Sequence, residues 1–420
     1  MVILDTLTII ICLVFCAKSV KQIKYGSLNV YDLLQFVFFC VNVFPLLTDY
    51  LFQDQLKGLL DKIYIAMTDV TVSVVYDIIV ICISYVLYTL SNRYRIADES
   101  YLKSVETIKL NKILRSVTII VALLPLISIM FSPDISVYFK FAYFYTNEGN
   151  SLTINRIYHE AVVNLFINYS MVVILLYYFS QNRKQWIVYM LTFINLWISQ
   201  KRAFIFFVFG GIIFYDLLSQ KHANDIKGFF KKTVFLLLTA TSYFIVYSNN
   251  TIKQVDEDPY TTYVMYATRH YCMKTAIYDA LNENKILDST GQTMWFDLFF
   301  FIPRTYWTEK PVMYQRYFTN YVFGRDMSNQ VDWVNFLVNI WTEYISNFGA
   351  ILGPIIALIL IWLITRLSAN NRITYLTGSA FLGMYFVFGF EPVVMLFYLI
   401  WVFALLKYHK RENPTLYIKH

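Results

Sequence analysis

Arg269, His270, Lys274, Arg304, Lys310, Arg316 and Arg325 lie within residues 251–331, interleaved with tyrosine and tryptophan. A guanidinium grips phosphate oxygens through two parallel hydrogen bonds and does not lose its charge, so such a run suits a phosphate-bearing ligand. A second basic pair, Lys201-Arg202, follows Trp197-Ile198-Ser199-Gln200 between two apolar segments. If both segments cross a membrane, the pair sits at a hairpin tip; the alternative is a half-inserted pair whose cations reach to the interface. A third pattern is Asn335, Asn339, Glu343 and Asn347, with Thr342 and Ser346 alongside. Four-residue spacing places these on one helical stripe, and a polar stripe faces a wet cavity or a neighbouring helix rather than lipid. Glu343 is its ionisable member, readable as a functional acid or as the partner of one of the arginines.

The elements that must hold these residues are apolar. Of 420 residues 58% are apolar and 15% charged, against about a quarter charged in soluble domains. The apolar segments fall near 2–17, 30–51, 70–90, 116–132, 161–180, 186–200, 203–219, 233–249, 347–365, 374–390 and 393–406, which predicts an all-α polytopic membrane protein of about 11 transmembrane helices. We read residues 1–420 as one membrane domain with a large loop, residues 250–332, inserted between transmembrane helices. The segments 18–29, 91–115, 181–185, 220–232, 366–373 and 407–420 hold 21 Lys and Arg, against 6 in 52–69, 133–160 and 201–202. The excess of cations on cytoplasmic loops then puts the N-terminus and the large loop outside. Residues 1–17 lack a basic start and a small-residue cleavage site and are read as a first anchor.

Five cysteines provide neither a disulfide framework nor a CxxC metal site, and no metal or other cofactor is expected. No GxxxxGK[ST], HExxH or GxSxG is present, which argues against nucleotide-sugar chemistry. Within the large loop, Asp256-Glu257-Asp258-Pro259 predicts a helix start, with the helix running to about Leu281 and Tyr266, His270 and Lys274 on one face. Asp288-Ser289-Thr290-Gly291 predicts a turn. The aromatic run Met294 to Ile302 is expected at the membrane interface or re-entering the bilayer. Pro303 and Pro311 place Arg304 and Lys310 at bends.

Taken together, the chain resembles the bacterial O-antigen polymerase (oligosaccharide repeat-unit polymerase) family. The likeness rests on the layout with one large late loop and on Ser199-Gln200-Lys201-Arg202. It also rests on Phe301-Ile302-Pro303-Arg304-Thr305-Tyr306-Trp307-Thr308-Glu309-Lys310-Pro311 and on Glu343-Tyr344-Ile345-Ser346-Asn347-Phe348-Gly349. The resemblance implies an inner-membrane glycosyltransferase facing the periplasm, with a fold related to lipid-linked glycosyltransferases and O-antigen ligases and no required metal. Its partners would be donor and acceptor oligosaccharides, each linked to undecaprenyl pyrophosphate, the bilayer, and a chain-length regulator; no nucleic acid is expected.

On that reading charge builds on the leaving phosphate, so fixed cations matter most. Arg202, Arg269 and Arg304 are the expected clamp, with Lys201, Lys274 and Lys310 in support. An acceptor hydroxyl needs a base, and the sequence leaves Glu343 and His270 both open, with His159 a weaker candidate. His270 is expected among cations that hold it neutral. Tyr266, Trp307 and Asn339 are expected at the substrate, and Tyr260, Tyr263, Tyr266, Tyr306, Trp307, Tyr314 and Tyr317 are read either as stacking on sugar rings or as belt and core packing. The rivals are an O-antigen ligase, which shares the donor, and a flippase for the lipid-linked unit; short loops and internal repeats, the usual marks of a flippase, are not seen.

Overall fold

Every apolar segment of the sequence is helical, because in lipid a backbone can satisfy its own polar groups only within a helix or a closed barrel. The structure is a computed structural model and describes residues 2–25, 29–58, 60–94, 112–146, 153–180, 183–218, 226–250, 260, 264, 268–282, 286–324, 336, 338–369 and 372–407. No β-strand occurs among the described residues. In chain order the helices are α1 (Val2–Tyr25), α2 (Val30–Phe38), α3 (Leu46–Phe52), α4 (Asp61–Thr68), α5 (Val70–Arg93), α6 (Lys112–Ile129), α7 (Ile154–Tyr158), α8 (Asn164–Tyr178), α9 (Gln185–Ser199), α10 (Arg202–Leu218) and α11 (Ile226–Asn250). They continue with α12 (His270–Asn282), α13 (Gln292–Phe299), α14 (Tyr314–Phe323), α15 (Ile340–Ser368), α16 (Arg372–Phe388) and α17 (Pro392–Lys407).

Among the described residues six stretches are long and apolar enough to cross a membrane: Ile3–Lys21, Val30–Asp49, Val70–Arg93, Ile154–Tyr178, Lys227–Tyr247 and Ile340–Ser368. The chain is therefore a helical membrane protein. Five further apolar helices, Arg115–Ile129, Gln185–Ser199, Phe207–Leu217, Ile373–Val387 and Pro392–Lys407, are shorter. Apolar side chains such as Ile10, Ile78, Phe193, Leu238, Ile359 and Phe403 are exposed, as lipid-facing residues must be.

The chain forms two compact units, residues 1–97 with 255–420, and residues 98–254. In the second unit α6 packs on α8, and Asn195 of α9 donates to the Ala122 carbonyl at 2.9 Å. Helix α9 ends at Ser199, Gln200 takes a left-handed conformation (φ 53°), and α10 begins at Arg202. The expected paired helices around Ser199–Arg202 are thus present. Gln200 is also pinned, its Oε1 accepting the Phe144 backbone N–H at 3.0 Å.

In the first unit, α2 opens with a capping box, Asn29 and Asp32 each accepting the other's backbone N–H at 3.1 Å. A π-turn over Phe39–Val43 follows, and it leaves the Val41 carbonyl to accept the backbone N–H of Arg269 at 2.8 Å. The large loop does not stand alone. Its Tyr271, Tyr314, Phe318 and Phe336 share an apolar core with Leu56, Ile63 and Met67 from the α4 region, and Lys62 donates to the Tyr321 carbonyl at 2.6 Å. The expected helix start at 256–259 lies outside the described residues; Thr268 and Arg269 are non-helical, so α12 begins at His270.

Helix α15 is two helices. Gly349 (φ 83°, ψ 170°) breaks it, and the chain turns sharply enough that Gly353 lies against the backbone of Tyr344 and Ile345. The part after the break, at 1.5 Å per residue, is about 28 Å long and can span the hydrocarbon core by itself. The part before it carries Glu343 and Asn347 as a separate polar element. A Cβ at position 353 would lie 2.5 Å from the Tyr344 carbonyl oxygen and 2.7 Å from the Ile345 Cα. Backbone cannot yield there, so Gly353→Ala is expected to cost about 1–3 kcal/mol, read as a lower thermal unfolding temperature in detergent. Gly210→Ala, which meets nothing within 4 Å, is the matched substitution expected to have no such effect.

Candidate functional site

The polar half of α15 holds Glu343 at 0% exposure, inside a set of named partners. Thr293 of α13 donates its hydroxyl to Glu343 Oε1 at 2.7 Å. Asn347, one turn on, donates from Nδ2 to Thr293 Oγ1 and to the Glu343 carbonyl, both at 2.8 Å. Tyr385 of α16 donates to Asp297 Oδ2 at 3.0 Å, with its hydroxyl 3.5 Å from Glu343 Oε2. The four-residue pattern on α13, Thr293 and Asp297, therefore faces the four-residue pattern on α15, Glu343 and Asn347.

Asp297 was not singled out from sequence, and it is the member that changes the chemistry. Its Oδ1 is buried without a hydrogen-bond partner among the described residues, while the residue keeps part of its surface open. Burial, with the Glu343 carboxylate alongside, pushes the Asp297 carboxyl well above the usual carboxylate range. The two buried carboxyls thus lie on either side of the Tyr385 hydroxyl, 3.0 Å from Asp297 Oδ2 and 3.5 Å from Glu343 Oε2. Among the described residues neither carboxylate forms an ion pair with Lys or Arg.

The site lies beneath the aromatic run. Helix α13 buries Thr293 and Phe296 and exposes Trp295, Leu298 and Phe299, as a helix at a lipid interface does. The bend that follows is held by Lys310, whose ammonium donates to the carbonyls of Phe300 at 2.5 Å and Ile302 at 2.8 Å and lies over the Phe296 ring. Burial, and then the charge of nearby Arg304, pull the Lys310 ammonium below its usual value. Arg304 is exposed and donates one hydrogen bond to the Pro311 carbonyl at 3.1 Å, leaving other guanidinium donors facing solvent. Trp307 is half-buried and Tyr306 exposed on the same bend. Tyr260, Tyr314 and Tyr317, read as stacking on sugar or as packing, are buried.

The remaining expected residues go elsewhere. Arg269 is 2% exposed, its Nε donates to the Val387 carbonyl at 3.0 Å and its Nη1 to the Thr268 carbonyl at 2.5 Å. It ties the loop to the end of α16. Arg269→Ala is therefore expected to lower the folded yield of the protein rather than its turnover, measured as activity per folded molecule beside thermal unfolding. His270 is not surrounded by cations; its Nε2 lies 3.0 Å from Asp49, which also accepts from Tyr260 at 3.0 Å. Lys274, placed from sequence at substrate, is buried over the Tyr76 ring beside Asp49. Asn339 is not on the helix but caps it, accepting from Thr342 N at 3.0 Å, and its amide donates to Asn42 at 3.1 Å. His159 is buried, 3.2 Å from the Tyr138 hydroxyl, and stacks on Phe144. Lys201 is half-buried; the side chain of Arg202, and Tyr263, Tyr266, Arg325 and Asn335, lie outside the described residues.

The arrangement thus offers two buried carboxyls, Glu343 and Asp297, beside a helix that exposes Trp295, Leu298 and Phe299, with Arg304 and Lys310 on the adjoining bend. No group of three or more His, Cys, Asp or Glu that could hold a metal ion occurs among the described residues. No family model, curated protein or solved structure matches the chain.

Proposed function

We propose that the protein is a membrane glycosyltransferase that polymerises oligosaccharide repeat units carried on undecaprenyl pyrophosphate. The observation that carries this reading is the buried Glu343–Asp297 pair about the Tyr385 hydroxyl, packed against the aromatic helix α13, with Arg304 on the bend that follows. The acceptor hydroxyl oxygen forms a bond to the donor's anomeric carbon, and the bond from that carbon to the pyrophosphate oxygen breaks. The hydroxyl proton passes to the ionised carboxyl of the pair. The pyrophosphate leaves as an anion, held by Arg304. Trp307 and Tyr306 are placed for contact with sugar.

The matching topology has eleven crossings, the six long helices and the five shorter ones, with the N-terminus and the 250–332 lobe on the periplasmic face of the inner membrane. The excess of Lys and Arg in the opposite loops supports it. A flippase for the same lipid-linked unit is the second reading, favoured by one feature: Asp5 and Asp77 are buried within apolar helices, as in transporters.

The test is a gel of surface polysaccharide from a strain lacking the gene. A polymerase predicts single repeat units on the lipid core with long chains absent. Complete loss of capped core points to a ligase, and repeat units trapped on the cytoplasmic face point to a flippase.

A further inference from the structure

Helices α1 and α5 meet along a polar seam inside the apolar part of the chain. Asp5, Thr8 and Cys12 are three and four residues apart and share one face of α1; Ser73, Asp77 and Ser84 share one face of α5. Asp5 and Thr8 face Asp77, and Cys12 faces Ser84. Asp77 is 1% exposed and Asp5 2%, while Thr8, Ser73 and Ser84 are fully buried. Among the described residues, both oxygens of Asp77, Oδ1 of Asp5 and the hydroxyls of Thr8, Ser73 and Ser84 have no hydrogen-bond partner.

That last point is unusual for hydroxyls on helices. They ordinarily bond back to a carbonyl one turn earlier, as Thr365 does to Ile361 at 2.8 Å and Ser368 to Ile364 at 2.6 Å. In the seam they do not, and a buried polar atom left unpaired is costly. Several oxygens converging without partners are what a bound water needs.

The charges around the seam do not balance either. Asp49 at the end of the α2–α3 segment, Asp5 and Asp77 are three buried carboxylates. Facing them from α12, among the described residues, are Lys274, which lies beside both Asp49 and Asp77, and His270 on Asp49. The remaining groups nearby, Tyr76 and Tyr260, are hydroxyls, bonded to the Asn42 carbonyl and to Asp49. Among the described residues, three buried carboxyls thus face one lysine and one histidine in an apolar surround, where an unpaired charge is not tolerated.

We propose that the α1–α5 seam is a proton-binding site in which Asp5 and Asp77 hold one proton between them through a bridging water, within reach of Lys274. Thr8 and Ser73 orient that water, and Ser84 with Cys12 extends the polar track one further step along the helices. The site binds a proton rather than a metal cation because Lys274 already supplies positive charge at its mouth. It stands apart from the transferase reading, since it uses none of the residues of the Glu343 site.

The full-length chain, purified in detergent, is treated with dicyclohexylcarbodiimide, which adds to protonated carboxyls it reaches from an apolar phase, and adducts are located by peptide mass spectrometry. An adduct on Asp5 or Asp77 is expected, falling to background as the solution is made alkaline and unchanged by added sodium or lithium. In Asp77→Asn the charges balance without the shared proton, so labelling of Asp5 is expected to fall to background. No adduct on either residue in the wild-type chain overturns the proposal. Protection by sodium also overturns it, because the seam would then hold a metal cation, and undiminished Asp5 labelling in Asp77→Asn shows that no proton is shared.

Discussion

Glu343→Gln is expected to abolish long glycan chains while leaving the protein folded in the membrane. Glutamine keeps the shape and keeps an oxygen for the Thr293 hydroxyl, which donates to Glu343 at 2.7 Å, and it leaves the Asn347 bond to the backbone carbonyl untouched. It removes the one property argued to matter, a carboxyl that can take a proton. Losing a positioned base slows a reaction by about 10²–10⁴-fold, enough to erase a polymer ladder. Asp297→Asn is expected to be milder and to shift the pH profile, because Glu343 then titrates without a partner carboxyl. The double variant should be no slower than Glu343→Gln alone, since groups that act as a unit do not add. The readout is chain length on a gel at matched protein level; wild-type ladders from Glu343→Gln would remove the base from the account.

Asp49→Ala is expected to have the largest effect on stability. Asp49 is the anion for His270 at 3.0 Å, receives the Tyr260 hydroxyl at 3.0 Å and lies beside Lys274, and all four groups are buried. Removing one partner from a buried pair leaves an uncompensated group and costs about 3–5 kcal/mol. The loss should appear as a large drop in thermal unfolding temperature and in accumulation at the membrane. His270→Ala should follow the same pattern. The distinction matters because both Glu343 and His270 are candidates for the base. A His270→Ala protein that is as stable as wild type and still inactive would make His270 catalytic; an unstable one confirms that it belongs to the fold.

The apolar helices were readable from apolar runs alone, because in lipid that pattern admits one answer, and each run from 2–17 to 393–406 corresponds to a helix. The Ser199–Arg202 turn was readable for the same reason. What sequence could not supply is where chains far apart meet. Asp49 and His270 are 221 residues apart, and nothing local marks the aspartate, which ends an apolar run. Arg269 was placed at a surface because its loop is polar, yet the loop packs on the α4 region and the carbonyls of Val387 and Thr268 take up the guanidinium. Asn339 was read as part of a helical stripe, whereas asparagine one residue before a helix is an ordinary cap. Asp297 had a usable signal: it sits four residues after Thr293 inside an aromatic run, and an ionisable group in such a place is a functional candidate by default. The same rule applied to Asp5 and Asp77 would have pointed to the α1–α5 seam.

The most direct measurement is a reconstitution. The purified chain is placed in liposomes with an undecaprenyl-pyrophosphate-linked repeat unit and no nucleotide sugar, and the lipid-linked glycans are separated by size over time. A ladder rising in whole repeat units, with release of undecaprenyl pyrophosphate and none of it from the Glu343→Gln protein, is the result predicted. Unchanged single units, or units merely redistributed between the two leaflets, would contradict the assignment of a glycan-polymerising activity to this site.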